Sequence, residues 1–358
     1  MAVALQAKDA LKWAYRGEGA VNLVLAYCGK SPDFVGKVLL IQKVPKNGSE
    51  YENGHPALTK QECLLWRELE GLVSAPTQEI AEHLYVHQVM CPLLGSKHVD
   101  AGICVLVTRE FLEVVENKCL CQRPSWRVNA AKVNPLCDSV LLVADHSVFP
   151  HGIIKDDFCV SVEIKPKCGF LPISEFIGPE NAVKRSITRF EMHQALKLNQ
   201  GKKSQISKYD PLDVFCGSKD RKMGCAQNIS SSLLLSRFSS QDLLSLLLEV
   251  QKLDIIDIEG AIHSYYDIVS QPCMVCRQKG VKERYASLHS IPRDQRLKLV
   301  RDYLISATAK DSKSTNQIFD YKASFIDLDM KPLKKMEHYY KLDQQIVSCY
   351  VQMKRAAS

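Results

Sequence analysis

No apolar run in the 358 residues approaches the ~18 that a membrane helix requires. The richest stretches, residues 233–235 and 243–248, are short and interrupted by serine. Residues 1–16 contain no apolar core with a cleavage site, so no secretory leader is expected. No segment repeats at a period of about 20–50 residues, which excludes a solenoid. What is present is an ordinary globular mixture, 46% apolar and 24% charged. At roughly 150 residues per domain, the length predicts two domains, divided near residue 150. The fourteen cysteines, without a leader, read as reduced thiols or metal ligands, not disulfides. The cytoplasm, the nucleus or both is the expected compartment.

The net charge of +7 is unevenly placed. Residues 165–222 hold twelve Lys/Arg against six Asp/Glu, and residues 331–358 hold six against two. The rest of the chain is therefore slightly acidic. Such asymmetry favours an anionic partner; a solvated basic surface is the alternative.

Apolar periodicity predicts strands at residues 21–27, 34–42, 104–107, 139–143, 160–164 and 325–328. Residues 29–32 read as a turn, and 217–240, rich in serine, as a loop. Helices are predicted at 61–73, 180–198, 241–250, 255–269, 292–309 and 332–351. Strands come first and helices later, an α+β chain in two lobes with a strand-rich N-lobe (1–150) and a larger mixed C-lobe (151–358).

Four groups of residues carry possible chemistry. Arg16-Gly17-Glu18-Gly19-Ala20-Val21-Asn22 precedes a strand. Glycines there would let a backbone approach a phosphate, but the run lacks a Walker lysine and a third Rossmann glycine, and an ordinary turn is the other reading. In Glu163-Ile164-Lys165-Pro166-Lys167, strand alternation puts Glu163 and Lys165 on one side and proline fixes the bend before Lys167. Rigidly placed lysines suit phosphate; a charged strand end is the alternative. In the run from Phe325 to Lys335, Asp327 ends an apolar strand, a position used for metals in phosphoryl transfer. On a helix, Lys331, Lys335 and Tyr339 would share a face. Cys273 and Cys276 form C-x₂-C, flanked by His263 and His289. Two thiolates and two imidazoles fill a tetrahedral zinc site of the structural kind; ordinary thiols and surface histidines are the alternative.

The runs YRGEGAVNLVLAY, FVGKV, PLLGSKHVDAG, QRPSWRVNAA, SVEIKPKCGFLP, RFEMHQALKL, YDPLD, KLDIIDIEGAIHSYYD, YLISATAKD and FIDLDMKPLKKMEHYYKLD together resemble the inositol-pentakisphosphate 2-kinases in their plant form. The resemblance covers about residues 11–215 and 250–350. It implies a two-lobed kinase-like fold and transfer of the γ-phosphoryl group of ATP to the 2-hydroxyl of inositol 1,3,4,5,6-pentakisphosphate, giving hexakisphosphate (phytate). By that resemblance Gly19, Ala20, Val21, Asn22, Asp145, His146, Glu163, Ile164 and Lys165 would line the nucleotide site, and Asp327 would hold Mg²⁺. Asp311 would receive or orient the attacking hydroxyl. Arg127, Lys165, Lys167, His193, Lys197, Lys331, Lys335 and Tyr339 would grip the substrate phosphates. His263, Cys273, Cys276 and His289 would bind a structural Zn²⁺. A monomer is expected, with no nucleic-acid or membrane partner. Five phosphates at roughly −1.5 to −2 each carry on the order of −7 to −10, which suits the basic stretches.

The chain departs from the family pattern in five places. Leu40 stands for an arginine, with Lys37 and Lys43 nearby as replacement charges; Ala144 stands for an asparagine and Lys335 for an arginine. Between Gly217 and Leu248 the usual longer segment, with its Asn-Asn-Phe-Arg run, is missing, and the stretch after Asp311 is short. A catalytically impaired inositol-polyphosphate-binding protein of the same fold is the second reading.

Overall fold

A computed structural model describes residues 4–46, 56–147, 161–207, 209–215, 241–276, 283–317 and 323–357. The loop expected at 217–240 and the division expected near 150 lie outside these residues. The chain forms two compact units. One comprises Met1–Thr59, Leu69–Glu163 and Thr315–Phe325; the other Lys60–Glu68, Ile164–Ser314 and Ile326–Ser358. The described elements make an α+β chain. No helix among them is long and apolar enough to cross a membrane.

The first unit is built on an antiparallel sheet. Strands β1 (Trp13–Glu18), β2 (Asn22–Tyr27), β3 (Lys37–Pro45), β4 (Ile103–Leu106), β5 (Ala131–Val133) and β6 (Ser139–Ala144) are ordered β1-β2-β3-β6-β4, with β5 paired to β3. Alternation buries Leu23 and Leu25, Leu39 and Ile41, and Val140 and Leu142 on one face. Helix α1 (Arg109–Cys119) is part of the same core, with Phe111, Leu112 and Val115. The glycine run proves to be a hairpin. β1, which the sequence reading did not resolve, is followed by the Gly19–Val21 turn into β2, and the ladder bulges between Tyr15 and Gly17.

The second unit is mainly helical: α2 (Arg189–Asn199), α3 (Gln241–Gln251), α4 (Asp257–Ile268), α5 (Arg293–Asp311) and α6 (Met336–Ala357). Met192, Ala195 and Leu196 of α2 share a core with Ile346, Val347 and Tyr350 of α6. Three single-helix expectations are corrected. Residues 61–73 split into Lys60–Leu65 and Glu70–Val73, because Leu65 and Trp66 are buried in the second unit and Leu72 in the first. Residues 180–198 split into a 3₁₀ turn, Pro179–Arg185, and α2, whose start is set by Thr188 accepting the Glu191 N–H at 3.2 Å. At the closing helix, Pro332 leads into a short 3₁₀ turn, Leu333–Lys335, before α6.

Strands β7 (Ser161–Ile164), β8 (Lys313–Gln317) and β9 (Ala323–Ile326) form a second sheet in that order. The second unit takes the last residue of β7, the first two of β8 and the last of β9. Lys165 therefore follows β7 directly, Asp311 sits two residues before β8, and Asp327 follows β9 directly. Asp327 has a left-handed φ of 59°, and the strand ends two residues earlier than the apolar run suggests.

Candidate active site

Within the second unit a cavity of about 280 Å³ is lined in part by Lys167, Arg189, His193, Asp311, Lys331 and Tyr339. The cations are placed by three separate elements. Pro166 is buried, and Lys167 after it adopts a left-handed φ of 68°. Arg189, His193 and Lys197 follow one another at i, i+4 and i+8 on α2, so they share a face. Lys331 lies in the non-helical stretch before Pro332 and reaches Asp311 at 2.9 Å. The expected helical stripe of Lys331, Lys335 and Tyr339 is therefore not continuous. Lys331 and Tyr339 line the cavity, while Lys335 is exposed and outside its lining.

The charges in this space perturb one another. Burial first, then the charge of Lys165, pushes Lys167 down to about 8, with Asp311 acting in the opposite direction and Lys197 adding to the fall. Burial, then Lys197, Arg189 and Lys167, push His193 down to about 4. His193 is thus a neutral hydrogen-bonding group near pH 7 in the free protein, not a standing cation. Enclosure favours the neutral acid at Asp311, but Lys331, Lys165 and Lys167 outweigh it and hold the carboxyl below its ordinary value. Burial, then Asp311, raises Tyr339 to about 12, so its hydroxyl remains a donor. Lys167, His193, Asp311, Lys331 and Tyr339 therefore line one cavity, and Lys165 and Lys197 lie near enough for their charges to act on it. Arg189 was missed, although its spacing from His193 and Lys197 was a usable signal.

Beneath the cavity wall, Lys184 is buried among Asp257, Glu259 and Asp343, the latter two at 3.3 and 2.8 Å. Arg189 approaches Asp343 at 3.6 Å. These three carboxylates are close enough to suit a metal, but the Lys184 ammonium already sits among them.

The other expected site residues divide between the units. In the first, the Gly19 N–H donates to Asn22 O at 2.9 Å, closing the hairpin turn. Lys43 is buried below it, bonded to Gly19 O at 2.8 Å and paired with Glu18. Arg123 pairs with Glu18 at 2.9 Å and Glu116 at 3.2 Å. Lys43 is consumed by this network and cannot supply the charge absent at Leu40. A Cβ at Gly17 or Gly19 would meet nothing within 4 Å, so the glycines leave open space. Asp145 follows β6 and accepts from the Ser147 N–H at 2.9 Å, with His146 between them. Arg127, in Ser125–Ala130, lies over the Trp126 ring at 4.1 Å. Glu163 is exposed in β7; Ile164 ends that strand in the second unit. Asp327 pairs with Lys313 at 3.0 Å. Burial, then the charge of Asp327, raises the nearby Asp329. Two neighbouring carboxylates form an oxygen donor set suited to Mg²⁺.

Of the expected zinc quartet, His263, Cys276 and His289 each place a donor atom within 4.8 Å of the others, while Cys273 falls outside that group. His263 on α4 is buried, and its Nδ1 is 2.9 Å from Cys276 Sγ and 3.4 Å from Cys273 Sγ. Cys276 Sγ is 3.9 Å from His289 Nε2. Around tetrahedral Zn²⁺ an N···S separation of about 3.5 Å is expected from the bond lengths, so these donors fit the ion. Burial, then His289 and Arg284, push His263 down to about 4, leaving the neutral imidazole that ligates metal. Tyr285 stacks on His263 with ring centroids 3.5 Å apart.

A cavity lined by cations from three elements and by Asp254, Asp257, Asp311 and Asp343, with Asp311 paired to Lys331, suits a polyanion that also carries a group to be activated. The family model for inositol-pentakisphosphate 2-kinase matches residues 15–229 and 222–345. Inositol-pentakisphosphate 2-kinase of Arabidopsis thaliana is 45% identical, over 99% of this chain and 97% of its own length. Inositol-pentakisphosphate 2-kinase IPK1 of Oryza sativa subsp. indica is 40% identical, over 98% and 96%. The Danio rerio inositol-pentakisphosphate 2-kinase is 32% identical over 63% of this chain and 42% of its own. The chain belongs to the inositol-pentakisphosphate 2-kinase family. The Arabidopsis alignment extends over 436 positions, more than the 358 residues of this chain, so that relative has segments with no counterpart here.

Proposed function

We propose that this protein transfers the γ-phosphoryl group of ATP to the 2-hydroxyl of inositol 1,3,4,5,6-pentakisphosphate, giving the hexakisphosphate. The observation that carries the reading is Asp311 held ionised by Lys331, Lys165 and Lys167 in a cavity that Arg189 and His193 also line. Phosphoryl transfer depends mainly on positioning and electrostatic stabilisation. Lys165, Lys167, Lys197, Lys331 and Arg127 would meet the substrate phosphates as charges. His193 and Tyr339 would meet them as hydrogen-bond donors, and Lys335 from the exposed turn. Asp311 would orient the 2-hydroxyl and accept its proton as the bond to phosphorus forms. Its lowered pKa makes it a weak base, so orientation is the larger part of that role.

A two-lobed kinase-like layout follows from this reading. The first unit would hold the nucleotide through Gly19, Ala20, Val21, Asn22, Asp145, His146 and Glu163. Ile164, Lys165 and Asp327, which belong to the second unit, are the other residues expected to meet the nucleotide. Asp327 would hold Mg²⁺, which would supply neutralisation of the charge on the transferring phosphoryl group. Zn²⁺ on His263, Cys273, Cys276 and His289 would be structural. We place the protein in the cytoplasm, the nucleus or both, as a monomer acting on inositol pentakisphosphate.

The segments absent relative to the Arabidopsis protein, together with Leu40, favour one second reading, an inositol-polyphosphate binder that does not turn over. A single-turnover assay with Mg²⁺, ATP and inositol 1,3,4,5,6-pentakisphosphate separates the two. Hexakisphosphate formed by the purified protein and lost in Asp311→Ala supports the kinase. Tight binding without product supports the binder, and no binding rejects both.

A further inference from the structure

Gln251 is the last residue of α3 and is completely buried. It does not line the cavity, and no chemistry marks it in the sequence. A buried primary amide must place two donor hydrogens and an acceptor oxygen, and here every partner is backbone. Nε2 donates to Lys167 O at 2.8 Å and reaches Ala309 O at 3.5 Å. Oε1 accepts from the Gly169 N–H at 2.9 Å. The amide therefore brackets Cys168, holding the residue before it and the residue after it. From another segment, the Tyr209 hydroxyl donates to Pro166 O at 2.8 Å. The same helix end is fastened to α5, because Ser306 Oγ donates to Gln251 O. Ala309 and Ser306 lie two and five residues before Asp311.

Lys167 needs such a clamp. Its left-handed backbone is strained for a residue with a Cβ and persists only where the surroundings over-determine it. Its ammonium is also crowded by Lys165 and Lys197, so repulsion favours its leaving the cavity. Side-chain hydrogen bonds to its own carbonyl and to the amide two residues on fix the turn against both tendencies.

We infer that Gln251 is a positioning residue for substrate binding: its amide locks the left-handed Lys167 turn to the Asp311-bearing end of α5 and so sets the place of the lysine relative to the carboxylate. The inference rests on the proposed roles of Lys167 and Asp311. Methionine at 251 keeps the length of the side chain and removes all three hydrogen bonds. Glutamate keeps the shape, and a buried carboxyl that stays protonated keeps one donor and an acceptor.

The test is a double-mutant cycle read as the Kd for inositol 1,3,4,5,6-pentakisphosphate by calorimetry, with Tm recorded for each variant. Gln251→Met should raise Kd roughly tenfold in the wild-type background and less than twofold in a Lys167→Ala background. Gln251→Glu should fall between Gln251→Met and wild type, and it carries the cycle if the methionine variant does not fold. Folded Gln251 variants with unchanged Kd, beside a Lys167→Ala variant that loses affinity, would overturn the positioning role alone. Equal losses in both backgrounds would overturn it too, since Gln251 would then act on the fold and not through Lys167. An unchanged Kd in Lys167→Ala itself would reject the reading of the site on which the inference stands.

Discussion

Lys167 combines a strained backbone with a proton held less tightly than in an ordinary lysine, and the two properties have opposite consequences with pH. In the free protein its pKa is about 8, set first by burial and then by Lys165. Its charge is complete below that value and lost above it. Affinity for inositol pentakisphosphate is therefore expected to fall as pH rises through about 8, and Lys167→Met should flatten that part of a calorimetric pH series. For folding the sign reverses. An unfolded lysine titrates near ~10.4, so between about 8 and 10.4 the unfolded chain binds more protons, and this group's contribution to stability grows with pH. Asp311→Ala removes both the orienting carboxylate and the proton acceptor, so turnover should fall roughly 10²–10⁴-fold while pentakisphosphate binding persists. Single-turnover rates and Kd measured on one preparation check both parts. Lys165, Lys167 and Lys331 were visible in the sequence because they stand in short, chemically unusual runs, whereas Asp311 was marked only by the family resemblance. Arg189 was equally visible in principle, as the first of three polar residues at four-residue spacing. Gln251 was not, because a buried amide that bonds only backbone leaves no pattern.

Among the elements, the β1–β2 hairpin and α2 do most to place the expected ligand groups. The hairpin turn rests on Glu18, Lys43 and Arg123, whose side chains are almost inaccessible to water. Removing one partner of a buried ion network leaves charge unpaired, so Glu18→Ala should destabilise by about 3–5 kcal/mol. Denaturant unfolding measures that loss, and the signal belongs to the first unit. On α2, Thr188→Ala removes the cap and should cost about 1 kcal/mol, with a matching weakening of ligand binding through Arg189, His193 and Lys197. The cap was legible as Thr188-x-x-Glu191, yet apolar spacing alone ran the helix back to residue 180. Periodicity similarly merged 61–73 into one helix, because it registers that leucines are buried and not which core buries them. Lys331 was assigned to a helical face for a related reason. Four-residue spacing implies a shared face only if the backbone between is helical, and Pro332 prevents that.

For the whole molecule, the His263, Cys273, Cys276 and His289 group is the test of what holds the larger unit together. α4 is buried along nearly its whole length, and His263 stacks beneath Tyr285. If zinc fills the group, chelation should lower the Tm by several degrees for each kcal/mol of binding free energy removed. Cys276→Ala should reproduce the effect without a chelator, and metal analysis of the purified protein should return about one zinc per chain. Sequence order alone displayed the α+β division and the four metal-type ligands. It did not display the unit boundaries, because these depend on short excursions, Lys60–Glu68 into the second unit and Thr315–Phe325 into the first. Those excursions bear on biosynthesis. A nascent chain ordinarily completes its N-terminal domain while the rest is still being translated. Here the first unit awaits parts of two strands, β8 and β9, encoded near the 3′ end of the message, so its last contacts form only when translation is almost over. A ribosome stalled anywhere before that point holds an unfinished unit, and a release fragment ending at Glu163 should unfold without a cooperative transition.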